Sequence, residues 1–196
     1  MAILCPIFKQ TIYVVEEKKL ISALQSVIEK EDAFRRLVTQ YKERLYWHIR
    51  KIVIDHDDTD DVLQNTFIKI FKNIHRFKGD SKLFTWMYRI ATNEAITFIN
   101  KKAKQNNITI EAVKELLISK LESDVYFEGD EIQLQLQKAI ATLPQKQQLV
   151  FNMKYFENHT YKNLSEILNT SVGGLKSNYH IAVKKITAYL KANETI

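Results

Sequence analysis

Four glycines and two prolines in 196 residues leave this chain few places to turn sharply. Tight hairpins need the special backbone angles that glycine, proline and asparagine supply, so closely turned strands are disfavoured and long helices are favoured. The apolar residues agree, because 45% of the chain is hydrophobic and these residues recur at helical spacing. Over residues 17–53 the series runs Leu20, Ile21, Leu24, Val27 and Ile28, then Phe34, Leu37, Val38, Tyr41, Leu45, His48, Ile49 and Ile52, which reads as two helices meeting near "EKED".

The acidic run "DHDDTDD" (55–61) reads as a loop and helix start, with Asp57, Asp58 or Thr59 as N-cap and further acids where the helix dipole favours them. An EF-hand calcium loop counted from Asp55 is excluded, since Asp60 and Thr66 stand where glycine and glutamate are required. A third helix, "DVLQNTFIKIFKNIHRF", places Val62, Leu63, Thr66, Phe67, Ile70 and Phe71 on one side. "KGDS" breaks it at Gly79, and Asp80 or Ser81 is expected to cap a fourth helix, "LFTWMYRIATNEAITFINKKAK".

Residues 105–130 lose part of this periodicity and read as an acidic linker with local order. Fully extended, it would reach roughly 85 Å. The helical pattern then resumes through Pro144 and "QKQQLVFNMKYF", breaks at "ENH", and continues as "TYKNLSEILN", a short turn, and "VGGLKSNYHIAVKKITAYL". Two short helices joined by such a turn, the second one basic, have the spacing of a helix-turn-helix, with Thr160 and Ser171 as N-caps. The expected fold is all-α, with two small helical domains (16–104 and 131–196) joined by a flexible linker.

A net charge of +6 suits a polyanionic partner, and its distribution says more. Residues 1–104 carry +6, residues 105–137 carry −5 and residues 138–196 carry +5, so two basic blocks flank an acidic connector. The single cysteine, Cys5, excludes an internal disulfide and a cysteine-based metal cluster and agrees with a reducing compartment. The apolar residues 1–15 form an N-terminal extension of unknown role, too short to span a bilayer, and the chain is expected to be cytoplasmic. A Gly-rich phosphate loop, a clustered metal-ligand motif and a nucleophile motif are all missing, so neither a cofactor nor catalysis is expected.

Half of the scarce glycines, Gly173 and Gly174, open the final helix, where each costs roughly 1 kcal/mol relative to alanine. One face of that helix offers Val172, Leu175, Tyr179, Ala182, Val183, Ile186 and Leu190 to a small core with Leu164, Ile167 and Leu168. The other offers Gly173, Gly174, Lys176, Ser177, Asn178, His180, Lys184 and Lys185. A recognition helix enters the major groove by its N-terminal end, and small residues there let the backbone come close to phosphates and base edges. Asn178 suits adenine, and Lys176 suits guanine or phosphate. A merely solvated polar face is the bland alternative; the capped preceding helix, the short turn and the local lysines favour DNA.

These segments resemble a known family. "LPQKQQLVFNMKYFENHTYKNLSEILNTSVGGLKSNYHIAVKKI" looks like the fourth conserved region of a sigma-70 factor, and "DDVLQNTFIKIFKNIHRFKGDSKLFTWMYRIATNEAITFINKKAK" looks like its second, in the order and separation of the extracytoplasmic function (ECF) subfamily. The resemblance implies a transcription initiation factor that binds core RNA polymerase (β′ and β subunits), recognises promoter DNA and opens its minus-ten element. It also implies a membrane-bound anti-sigma partner and no small-molecule substrate.

By this resemblance Asp61, Gln64, Asn65, Ile68 and Lys69 contact a β′ coiled coil, with Asn65 where relatives usually carry an acid, while Phe67, Ile70 and Phe71 remain core. Gly79, Asp80, Ser81 and Lys82 form the loop over a flipped minus-ten base, with Asn93 nearby and Arg89, Lys101, Lys102 and Lys104 on phosphates; Trp86 reads as core. Ser171, Gly173, Gly174, Lys176, Ser177, Asn178, His180 and Lys184 face the minus-thirty-five element. Gly174, Leu175, Asn178 and Ile181 depart from the residues usual in relatives, which bears on the promoter sequence read. Two rivals stand beside this reading: a stand-alone helix-turn-helix regulator, and an enzyme built on the His and Asp residues of "DHDDTDD".

Overall fold

The computed structural model describes residues 6–121 and 131–193. Its elements are α1 (Pro6–Gln25), α2 (Lys30–Val53), α3 (His56–Asn73), a 3₁₀ turn (Ile74–Arg76), α4 (Leu83–Gln105), α5 (Ile110–Leu121), α6 (Glu131–Ala141), α7 (Gln145–Tyr155), α8 (Tyr161–Leu168) and α9 (Val172–Asn193). No strand occurs among the described residues. Helix α1 takes in residues 6–15 of the N-terminal extension, whereas residues 1–5 lie outside the described residues.

The turn between α1 and α2 sits at the expected place, with the Ser26 hydroxyl accepting from the amides of Ile28 and Glu29. Val27 and Ile28 lie in that turn and are 98% and 93% exposed, so they are not core as their spacing had suggested. Helix α2 ends at Ile54, which takes φ 71°, and the Asp55 amide donates back to the Val53 carbonyl across it. This tight reversal sets Asp55, not one of the next three residues, as the N-cap of α3, with its carboxylate accepting from the Asp58 amide. Asp80 and Ser81 likewise do not cap α4: Lys82 occupies the N-cap, and the Leu83 amide donates to Glu17 of α1. Thr160 caps α8 as expected, and Ser171 accepts from the Gly174 amide at the start of α9.

Helices α1–α4 form one bundle and α6–α9 another. The first encloses Leu24, Leu37, Leu45, Ile49, Ile70 and Met87, and its apolar cluster continues across the joint into Leu149, Val150, Met153, Leu164, Ile167 and Leu175. A second cluster under α9 holds Ile140, Leu143, Phe151, Ala182 and Ile186. Val172 and Val183 stay outside it, at 39% and 38% exposed, because only the narrower stripe through Leu175, Tyr179, Ala182 and Ile186 meets a neighbouring helix.

Within the linker α5 is a full helix, fixed to α4 by Val113 against Ile99 and Ala103. At 1.5 Å per helical residue this shortens the maximal reach of the connection to roughly 60 Å. Residues 122–130 of the expected linker lie outside the described residues.

Candidate nucleic-acid interface

The loop before α4 is set by Gly79, whose φ of 80° is a conformation side chains resist, and by the Glu17 cap that fixes where the helix begins. Gly79, Asp80 and Lys82 are exposed there, with Ser81 half-buried. Along α4, Leu83, Met87, Ala91 and Ala95 point into the core, which leaves Arg89 and Asn93 on the outer face. Trp86 is half-buried against Phe77, 5.4 Å between ring centres, in line with a packing role. Further along, Lys101 and Lys104 are exposed, while Lys102 is ion-paired with Asp58.

Ser171, just before α9, and Gly173, Lys176, Ser177, His180 and Lys184 on it are exposed together. Gly174 has a local reason as well: a Cβ there would come within 3.2 Å of the Ser171 hydroxyl that caps the helix, whereas at Gly173 it would meet open space. Asn178 does not project freely, because its amide nitrogen donates to the Gly174 carbonyl at 2.8 Å.

The stripe on α3 is the cleanest of the three. Asp61, Gln64, Asn65, Ile68 and Lys69 are all exposed, opposite the buried Val62, Leu63, Thr66, Phe67 and Ile70. Phe71 is half-buried edge-on to Phe34, and Lys69 pairs with Glu94 of α4. Within "DHDDTDD", Asp55 is taken by the cap and Asp58 by Lys102, while His56 lies 2.7 Å from the Tyr46 hydroxyl.

The Sigma-70 region 2 family matches residues 37–105, and the family Sigma-70, region 4 matches residues 133–186. The ECF RNA polymerase sigma factor SigW of Bacillus subtilis is 30% identical over 158 residues, 76% of this chain and 84% of that protein. This chain belongs to the ECF sigma factors. The RNA polymerase sigma-H factor of Pseudomonas aeruginosa is 28% identical over 74% of this chain and 79% of its own length. The fold is shared with CnrH, solved in complex with the cytosolic domain of CnrY, at TM-score 0.67 and 19% identity, covering 91% of this chain and 99% of that one. It is also shared with the sigma factor RpoE of Bartonella quintana, solved with the anti-sigma factor NepR, at TM-score 0.62 and 17% identity, covering 82% and 98%.

In this ECF sigma factor the minus-ten candidates Gly79, Asp80, Ser81, Lys82, Arg89 and Asn93 line clefts at the joint between the bundles, and of the minus-thirty-five candidates Asn178 alone lines them. A cleft of about 250 Å³ has Arg89, Thr92, Asn93 and Ile96 on one wall and Ile167, Leu168, Leu175 and Asn178 on the other. The Arg89 guanidinium donates to the Glu166 carbonyl of α8. A second cleft brings Gly79, Asp80, Ser81 and Lys82 opposite Lys162, Asn163 and Glu166.

The joint also has a polar centre that sequence reasoning missed, where Glu157, in the turn after α7, reaches His48 of α2 and lies beside His159 of the same turn. Burial pushes the Glu157 carboxyl upward, but the His48 charge, hydrogen bonds from His159 and His48, and Lys51 outweigh it and hold the group well below the usual carboxylate range. Burial, and next the Glu157 charge, push the Tyr88 hydroxyl well above its ordinary range, so it stays protonated and donates to the Arg44 carbonyl. A histidine at an apolar helix position was the one available signal. No described helix is long and apolar enough to cross a membrane.

Proposed function

We propose that this sigma factor binds core RNA polymerase through the α3 stripe, reads the minus-thirty-five element with α9, and opens the minus-ten element with the 79–82 loop and the outer face of α4. It supplies recognition and strand opening and has no catalytic residues of its own, the polymerase performing the chemistry. Extracting a base from the duplex costs a few kcal/mol, which a fitted pocket offsets. The observation that carries the reading is the exposed α3 stripe. It is a polar surface with one exposed isoleucine, on the bundle that matches region 2, and packing within the chain does not account for it.

The minus-ten candidates of the 79–82 loop and α4 meet the second bundle across the joint, whereas promoter elements two to three duplex turns apart are separated by roughly 70–100 Å. The bundles therefore separate before both elements are engaged. The anti-sigma factor NepR solved with one structural neighbour, and the cytosolic domain of CnrY solved with the other, support an anti-sigma partner here; by the family it is membrane-bound and acts on a cytoplasmic sigma factor.

Gel filtration with bacterial core polymerase, followed by transcription from a genomic promoter library, tests the reading. Co-elution and initiation at sites sharing two spaced elements are expected. Specific DNA binding by the protein alone, with no co-elution at low salt, would establish the stand-alone regulator instead.

A further inference from the structure

The joint is held by groups that titrate, and neither polymerase nor promoter contact uses them. His48 is 1% exposed. Its Nδ1 lies 3.1 and 3.2 Å from the two Glu157 oxygens, and its Nε2 lies 2.8 Å from the Thr92 hydroxyl. A carboxylate only accepts, so Nδ1 carries a proton. The Thr92 hydroxyl donates to the Tyr88 carbonyl at 2.8 Å; with its proton placed there, its oxygen accepts, and Nε2 carries a proton too. All three bonds are made together only by the imidazolium. A neutral ring keeps Glu157 only by drawing the Thr92 proton away from Tyr88.

Charge points the same way. Glu157 is nine-tenths buried, and a buried carboxylate is costly without a cation beside it. Without the imidazolium it faces Lys51 at 3.6 Å and His159 at 3.3 Å. From α4 the His48 ring meets Tyr88 at 4.6 Å between ring centres, and His159 packs on Phe84 and Tyr88. The Asn152 amide adds a donor across the joint to the Lys51 carbonyl, but it does not titrate.

We propose that this joint is a proton-operated latch: the His48 imidazolium, held between Glu157 and Thr92, keeps the second bundle shut over the minus-ten face of the first, and its deprotonation releases them. The latch rests on the reading above in one respect, that separated bundles are the form that engages promoter DNA. Raising the pH therefore opens the molecule.

The test is energy transfer between dyes on cysteines placed at Lys72 of α3 and Lys185 of α9, both exposed, in the full-length protein carrying Cys5→Ala. Transfer is followed from about pH 5.5 to about pH 8.5, spanning the ordinary imidazole range. Falling transfer as pH rises is expected, with the dependence lost in His48→Gln at unchanged far-ultraviolet circular dichroism. Transfer that stays constant in the parent protein, or a parent-like profile in His48→Gln, would overturn the latch. Should His48→Gln not fold, Glu157→Gln in the turn after α7 gives the same readout, and a retained profile there overturns it equally. Neither polymerase nor DNA enters this measurement, so its failure is distinct from failure to co-elute with polymerase.

Discussion

The Glu17 carboxylate on α1 accepts a 2.7 Å hydrogen bond from the backbone amide of Leu83, the first residue of α4. The cap of α4, the helix proposed to face DNA, thus comes from a side chain 66 positions away. Removing it leaves an amide at a buried residue without its acceptor. Glu17→Ala is expected to lower stability by about 1 kcal/mol, and Glu17→Gln to recover most of that, read as shifts in the urea midpoint. Equal midpoints for all three proteins would show that the cap contributes nothing.

The paired glycines of α9 separate stability from recognition. At Gly173 a methyl group meets open space at helical backbone angles, so Gly173→Ala gains up to about 1 kcal/mol. If the backbone there approaches DNA as proposed, the same change weakens binding of the minus-thirty-five element. Thermal unfolding and a promoter-binding titration give the two numbers; gains in both would place the DNA elsewhere on α9.

Gly79 is the reverse case, with room for a side chain but a φ of 80°. The expected loss for Gly79→Ala is about 1 kcal/mol from backbone strain alone, and Gly79→Asn, which tolerates that region better, loses less. A calorimetric scan of both variants distinguishes strain from a steric cause.

Ile68 is 43% exposed in the centre of the α3 stripe. Changing an exposed residue of this kind alters stability by less than about 0.5 kcal/mol. Ile68→Asp should therefore fold normally yet lose at least about tenfold in core polymerase affinity if it sits at the centre of that contact. Parent-like affinity in a fluorescence titration would move the polymerase contact off this face.

Acid acts on the joint with the opposite sign to the latch. Because the folded-state carboxyl of Glu157 lies below its unfolded value, its contribution is fully present above the ordinary carboxylate range. That contribution declines as pH falls below about 4.3, where the unfolded chain takes up the proton first, and is gone once the folded-state carboxyl is protonated as well. Urea midpoints are expected to decline there, with a shallower decline in Glu157→Gln.

The helices were legible because their apolar residues keep a 3.6-residue period, as the α3 stripe illustrates with its buried Val62, Thr66 and Ile70 behind Asp61, Asn65 and Lys69. Caps were less so. Five aspartates in "DHDDTDD" offer equivalent oxygens, and the choice of Asp55 depends on the reversal at Ile54; the α4 cap depends on a tertiary contact with Glu17. Helical spacing also extended the first apolar series into Val27 and Ile28, since periodicity does not register where a helix stops. The joint was hidden for a different reason: His48 keeps the spacing of a core residue, and its partner Glu157 stands 109 positions on, inside what read as a simple break.

The apolar cluster that runs through the joint has a calorimetric meaning. Parting Leu149, Val150, Leu164 and Ile167 from the first bundle would wet apolar surface, so opening raises the heat capacity. The hydrophobic part of closure then weakens on cooling. The balance between shut and parted bundles has its own temperature of greatest closure, and the same chain at the same pH stands further open in the cold.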